Sequence, residues 1–182
     1  MALLDEAAQK SLILKARAAI ARAIGAEVPT GDVPTAVPTD VRAGAFVTLR
    51  IDGHLRGCIG YPAPDQPLVE VVERCAVSAA IADPRFPPLT LAEWRDVSLE
   101  LSALGPIEPV DDIRNVVVGR DGLIVELGHR RGLLLPQVAI EWKWNAAEFA
   151  AQTCIKAGLP SDAWQNGAKL FKFEAEVFSE SG

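Results

Sequence analysis

Asp52 and Gly53 stand between two β-forming runs, GAFVTLRI and HLRGCIGYP, and this arrangement narrows the fold more than any other stretch of the chain. An Asp-Gly pair takes positive φ at little cost, which a two-residue hairpin loop between right-twisted strands requires. The spacing therefore predicts an antiparallel hairpin with its register counted outward from the loop. On that count Ile51 faces His54, Leu49 faces Arg56 and Val47 faces Cys58, all on one side of the ribbon. Phe46, Thr48, Arg50, Leu55 and Ile59 take the other side.

The flanking periodicities supply the remaining layers. Leu4, Ala8, Leu12, Ala16, Ala19 and Ala23 recur at helical spacing and Gly25 stands at the expected stop, predicting an opening amphipathic helix. Residues 26–42 carry Pro29, Pro34 and Pro38 among Thr, Asp and Gly, which suits an irregular surface connection. After Pro67, Leu68, Val71, Val72, Cys75, Ala76 and Ala79 fall on one helical face. Val97, Leu99 and Leu101 alternate with Ser98, Glu100 and Ser102 as in a strand. A second Asp-Gly pair, Asp121-Gly122, predicts a turn between NVVVGR and LIVELG, and GHRRG another, giving a small meander. Helices are expected in PQVAIEW and NAAEFAAQTCIKAG, and KLFKFEAEVFSE reads as a half-buried terminal strand. Local antiparallel pairing mixed with helices gives an α+β class, with one antiparallel sheet and helices packed on it.

Composition removes several function classes. The formal charge of −6 opposes binding driven by phosphate neutralisation, so nucleic acid is not an expected partner; the compact basic run His129–Arg131 reads as a solvated turn. No run of about 18 uncharged apolar residues is present, and the N-terminus lacks a signal-peptide pattern, so the expected location is the cytoplasm. Cys58, Cys75 and Cys154 are then free thiols.

Site chemistry narrows in the same way. Zinc needs clustered ligands such as C-x-x-C or H-x-x-x-H, and neither occurs; a mixed site drawn from His54, Cys58 and Glu100 is short of ligands, so no metal is expected. Phosphate-binding loops and the G-x-S-x-G elbow are also missing, and no cofactor is expected. What remains is LRGCIG. On the counted register Arg56 and Cys58 lie about 7 Å apart along one face, near enough for the guanidinium to favour a thiolate. Glycine inside a strand marks a bulge or a close approach, which makes Gly57 and Gly60 candidate binding positions, and a bulge at Gly57 would break the facing argument. Glu100 is a further candidate acid, and Asp83, Arg85 and Gln137 are candidate binding residues. Each has a structural alternative: a packed thiol at Cys58, an ion-pairing arginine at Arg56, helix-end groups at Asp83, Arg85 and Gln137. Cys75 and Cys154, on apolar helix faces, are expected in the core.

LRGCIG at Leu55–Gly60, DPRFPPL at Asp83–Leu89, LELSAL at Leu99–Leu104, GLLLPQVA at Gly132–Ala139 and the W-x-W-N…F…C-x-K-A-G-L segment at Trp142–Leu159 together resemble the AMMECR family, also called AmmeMemoRadiSam system protein A. The resemblance runs from about Ala45 to Phe178. It implies a single AMMECR-type domain over residues 1–182, with a larger lobe, a smaller lobe, a cleft between them and LRGCIG close to that cleft. It also implies, for bacterial and archaeal members, association with a Memo-like protein and a radical-SAM protein. It implies no reaction. Three functions stay open on these residues: a thiol site at Cys58 and Arg56 acting on a small molecule or protein, a binding module in which Cys58 is only packed, and nucleic-acid binding, which the net charge disfavours.

Overall fold

The computed structural model describes residues 4–29, 37 and 40–180. Pro34 and Pro38 of the proline-rich connection lie outside the described residues. Helices and antiparallel strands are mixed, the α+β class expected, and the chain divides into two compact units: Met1–Leu104 with Glu176–Gly182, and Gly105–Ala175.

The larger unit begins with α1 (Glu6–Ile24), whose N-cap Asp5 accepts the Ala8 N–H at 2.8 Å and whose buried stripe includes Leu12, Ala16 and Ile20. Strands β1 (Ala45–Ile51) and β2 (His54–Tyr61) form the expected hairpin. Asp52 and Gly53 adopt φ of 51° and 78°, which puts both loop residues in the left-handed region. β3 (Val97–Leu104) pairs with the other side of β1, giving the order β2-β1-β3. Val47 stands opposite Leu101 and Leu49 opposite Leu99, and these four, all at most 1% exposed, make the core face. Helix α2 (Leu68–Ile81) packs there with Leu68, Val71, Val72, Cys75, Ala76 and Ala79, the face its spacing predicted. Each leucine so buried contributes about 2 kcal/mol.

The smaller unit holds β4 (Glu108–Pro109), β5 (Asp121–Leu127), β6 (Arg130–Leu134) and the first part of β7 (Lys169–Ser179). Strand β5 lies between β6 and β7, and β4 pairs with β7. Helices α4 (Pro136–Glu141) and α5 (Ala146–Lys156) complete the unit, whose core contains Leu123, Val125, Phe149, Ala150 and Cys154.

The three-strand meander is corrected here. Asp121-Gly122 is the start of β5 and not a turn, because Asp121 turns its carboxylate inward, 1% exposed, to accept the Val117 N–H at 2.8 Å and to pair with Arg120. Gly122 is extended beneath the Phe173 ring of its cross-strand partner. The chain reverses two residues earlier, at Gly119 with φ 94°; NVVV, expected to be a strand, instead begins at the end of a single 3₁₀ turn (Ile113–Asn115) and runs through Val116–Val118 into the Gly119 reversal without strand pairing. Strand β7 also departs from a simple half-buried alternation. Leu170 and Phe173 are both buried although they lie on opposite faces, since β7 pairs with β5, whose Leu123, Ile124 and Val125 are buried on both faces.

Candidate functional site around Cys58

Strand β2 is the edge of its sheet, so its outward N–H and C=O groups need partners other than a strand. The DPRFPP segment that follows α2 provides them. The Cys58 N–H donates to Asp83 Oδ2 at 2.9 Å, and Arg85 Nη2 donates to the Cys58 carbonyl at 3.1 Å. Asp83 in turn accepts from the Arg85 backbone N–H and Nε at 3.0 Å each and from Nη2 at 2.7 Å. The two motifs that looked separate along the chain are thus one assembly, in which the Asp83–Arg85 pair acts as a further strand for one residue of β2.

The hairpin register is not the one counted from the loop. Ile51 faces His54 and Arg50 faces Leu55, but a β-bulge then shifts the ladder so that Leu49 faces Gly57 and Thr48 faces Cys58. Arg56 is the extra residue. Because side chains alternate across a strand, this single insertion moves Cys58 to the face opposite Val47 and Leu49 and leaves Arg56 with Gly57 on the α2 side. The predicted shared face of Arg56 and Cys58 is therefore corrected. Arg56 is committed elsewhere: Nε donates to Glu93 Oε1 at 2.9 Å and Nη2 to the Pro87 carbonyl at 2.8 Å. It is buried, and among the described residues its Nη1 has no hydrogen-bond partner. Glu93 is held by a capping box with Thr90 at the start of α3 (Leu91–Trp94), and the Arg56 guanidinium, followed by the Thr90 N–H, pulls its carboxyl from the ordinary 4.5 to about 2.

The cation beside Cys58 is Arg85, through the Cys58 carbonyl. Its guanidinium is raised above its ordinary pKa chiefly by the Asp83 hydrogen bonds, with the Cys58 sulfur among the charges it feels. Phe86 lies between the two arginines, its ring centre 5.7 Å from Arg56 and 5.6 Å from Arg85. Asp83, fully enclosed, is held well below the usual carboxylate range by Arg85 first and by the Cys58 N–H as well, against the opposing effect of burial. Both acids have folded values below their unfolded ones. Their stabilisation is present above about pH 4.5 and is lost as pH falls through the carboxylate range toward 2, so the denaturant midpoint should decrease over that interval and stay level above it.

On its own face Cys58 heads a cross-strand row. The register places Thr48 opposite Cys58 on one side and opposite Glu100 on the other. The Thr48 hydroxyl donates to Cys58 Sγ at 3.4 Å. With strands about 4.8 Å apart, thiol and carboxylate stand about 10 Å from each other with the Thr48 hydroxyl between them. Gly60, the next pair along this face, is covered by the Phe46 ring, which occupies the space a Cβ would take. Gly57 faces the other way, against the Ala79 carbonyl of α2.

The sequence candidates thus separate. Cys58, Glu100, Asp83 and Arg85 gather around one stretch of sheet, whereas Arg56, Gly57 and Gly60 serve the packing beneath and beside it. Gln137 belongs to the smaller unit, near the start of α4, where its Oε1 is buried and lacks a partner among the described residues. Thr48 and Glu93 were not among the candidates. Thr90-Leu-Ala-Glu93 carries the capping-box pattern and was readable; Thr48 becomes visible only when the bulge is known. Cys75 and Cys154 are buried as expected, and burial pushes the Cys75 thiol up to about 11. Among the described residues no three His, Cys, Asp or Glu side chains converge on a metal-sized site, and no helix is long and apolar enough to cross a membrane.

Comparison with known proteins agrees with this architecture. A protein of Methanothermobacter thermautotrophicus is 50% identical over 148 residues, covering 78% of this chain and 77% of its own length. A protein of Methanocaldococcus jannaschii is 48% identical over 148 residues, 76% of this chain and 74% of its own. The crystal structure of an uncharacterized protein from Pyrococcus horikoshii superposes with a TM-score of 0.84 at 44% identity, over 94% of this chain and 90% of that one. With the AMMECR1 family model matching residues 13–178, the chain belongs to the AMMECR1 family.

Proposed function

We propose that the polar face of the larger unit is a thiol-centred site, acting on a small molecule or a protein substrate and working with a Memo-like and a radical-SAM partner. The observation that carries this reading is the placement of Cys58: of the three cysteines it alone is not buried, and its backbone is fixed at both N–H and C=O by Asp83 and Arg85. Fixing the backbone orients the sulfur without spending binding energy to do so. The Thr48 hydroxyl donates to the sulfur and the Arg85 guanidinium sits against the Cys58 carbonyl, so a donor and a cation flank the residue that this reading makes the nucleophile. In this reading Glu100, opposite Thr48 on the next strand, takes or gives a proton on a group lying over the row.

Iodoacetamide tests the thiol directly. The native chain should take up one equivalent, at Cys58, faster than free cysteine at the same pH, and Thr48→Val or Arg85→Ala should slow it about tenfold. Uptake no faster than free cysteine, or unchanged in both variants, removes the reading.

A second reading has its own observation: Arg56, Gly57, Gly60, Asp83 and Arg85 each have a packing or edge-capping role. In that case the face is a docking module with Cys58 packed. Cys58→Ser would then leave binding of the Memo-like protein intact, whereas Arg85→Ala would weaken it.

A further inference from the structure

Glu100 has a second setting besides the thiol row. It lines a groove of about 550 Å³ within the larger unit, together with Gln9 and Ile13 of α1 and Val177 and Phe178 near the end of β7. Glu100 is half-buried, and its carboxylate has no hydrogen-bond or ion-pair partner among the described residues. The cation of the lining, Lys10, is already paired with Glu6 at 3.0 Å, so those two charges cancel and Glu100 remains as the net charge of the groove. A carboxylate without a counter-ion, set in a groove, favours a bound cation, and the chain's charge of −6 draws cations toward it. Ile13, Val177 and Phe178 offer hydrocarbon alongside that charge, so a bare metal ion or an anion would match only part of the surface. A short alkyl chain ending in an ammonium or guanidinium group matches both.

From this we infer that the groove binds an alkyl ammonium or guanidinium group, with Glu100 as its counter-ion. Such a group occurs in a free polyamine and in the lysine or arginine side chain of a polypeptide. The site goes beyond the thiol reading and does not depend on it: Glu100 would hold the cation whether or not Cys58 reacts.

Calorimetric titration of the full chain at low salt, with putrescine, with Nα-acetyl-lysine amide and with uncharged 1-butanol, provides the test. The expected result is saturable binding of at least one of the two cations with Kd about 1 mM or tighter and no binding of 1-butanol. Glu100→Gln should weaken the cation about tenfold or more with an unchanged melting temperature, because the carboxylate holds no other part of the fold. Lys10→Met frees Glu6 and should tighten binding. Tighter binding of putrescine identifies a free amine as the ligand, and tighter binding of the lysine amide identifies a polypeptide side chain. Absence of saturable binding by either cation, or equal affinity in Glu100→Gln, overturns the inference, while the Cys58 labelling rates would stand unaffected by that failure.

Discussion

Gly57→Ala is expected to destabilise the protein by about 3 kcal/mol or more, the range of severe overpacking. A Cβ at this position would fall on the Ala79 carbonyl oxygen, well inside contact distance, and the next atoms it meets also belong to the Ala79 backbone. No side-chain rotation relieves a clash with a helix backbone, so either β2 or α2 must move. Both move against a core in which Val71, Val72 and Ala79 are at most 1% exposed. For a chain of this size that cost corresponds to a fall in melting temperature of about 10 °C. Gly53→Ala is the matched control: nothing lies within 4 Å of the added atom, and only the backbone strain at φ 78° opposes it, about 1 kcal/mol. Thermal melts in which the two variants behave alike would show that α2 does not seat against the bulge.

Asp83→Ala should cost about 2–3 kcal/mol at neutral pH. The carboxylate is enclosed and serves four donors, among them the Cys58 N–H, so removing it leaves an edge-strand donor without a partner and releases the Arg85 guanidinium. Arg85 is half-exposed and recovers water, which keeps the loss below that of a fully buried pair. The pH dependence separates this from a simple cavity. Asp83 is held below its ordinary value, so its contribution is complete above about pH 4 and disappears as it is protonated. The gap between wild type and Asp83→Ala in urea denaturation should therefore be widest at pH 7 and narrow toward pH 3. A gap that is constant across that range would mean that the charge of Asp83 contributes nothing. Iodoacetamide labelling of the same variant is informative as well, since the Cys58 backbone loses its fixed position along with the Asp83 acceptor.

Much of the local structure was readable because each signal acts over a few residues. Asp52-Gly53 specified its hairpin, the α2 stripe specified the face that α2 buries, and Gly25 and Pro136 stand at helix ends. The second Asp-Gly pair misled because the same dipeptide can end a strand or begin one. What separated the two cases was whether the aspartate had a buried donor to meet, here the Val117 N–H, and that donor is fixed by the turn at Val117–Arg120.

At the site, the residue types of LRGCIG and DPRFPP were legible as chemistry, and the family resemblance that they carry was confirmed. The assignment of partners was not legible. Counting from the loop put Arg56 beside Cys58; one inserted residue reversed the face of everything beyond it and put Thr48 beside Cys58, with Glu100 one strand further on. Local pattern sets which segments are helix or strand, since those periods come from the chain's own geometry. The bulge follows from how Gly57 meets the backbone of α2, and the choice of Arg85 over Arg56 follows from how residues 83–90 fold back onto the β2 edge. The sequence by itself thus determined the elements, the hairpin and the family. Only the tertiary structure decided which charges hold the Cys58 backbone, because that depends on contacts between segments more than 20 residues apart, where no local spacing rule operates.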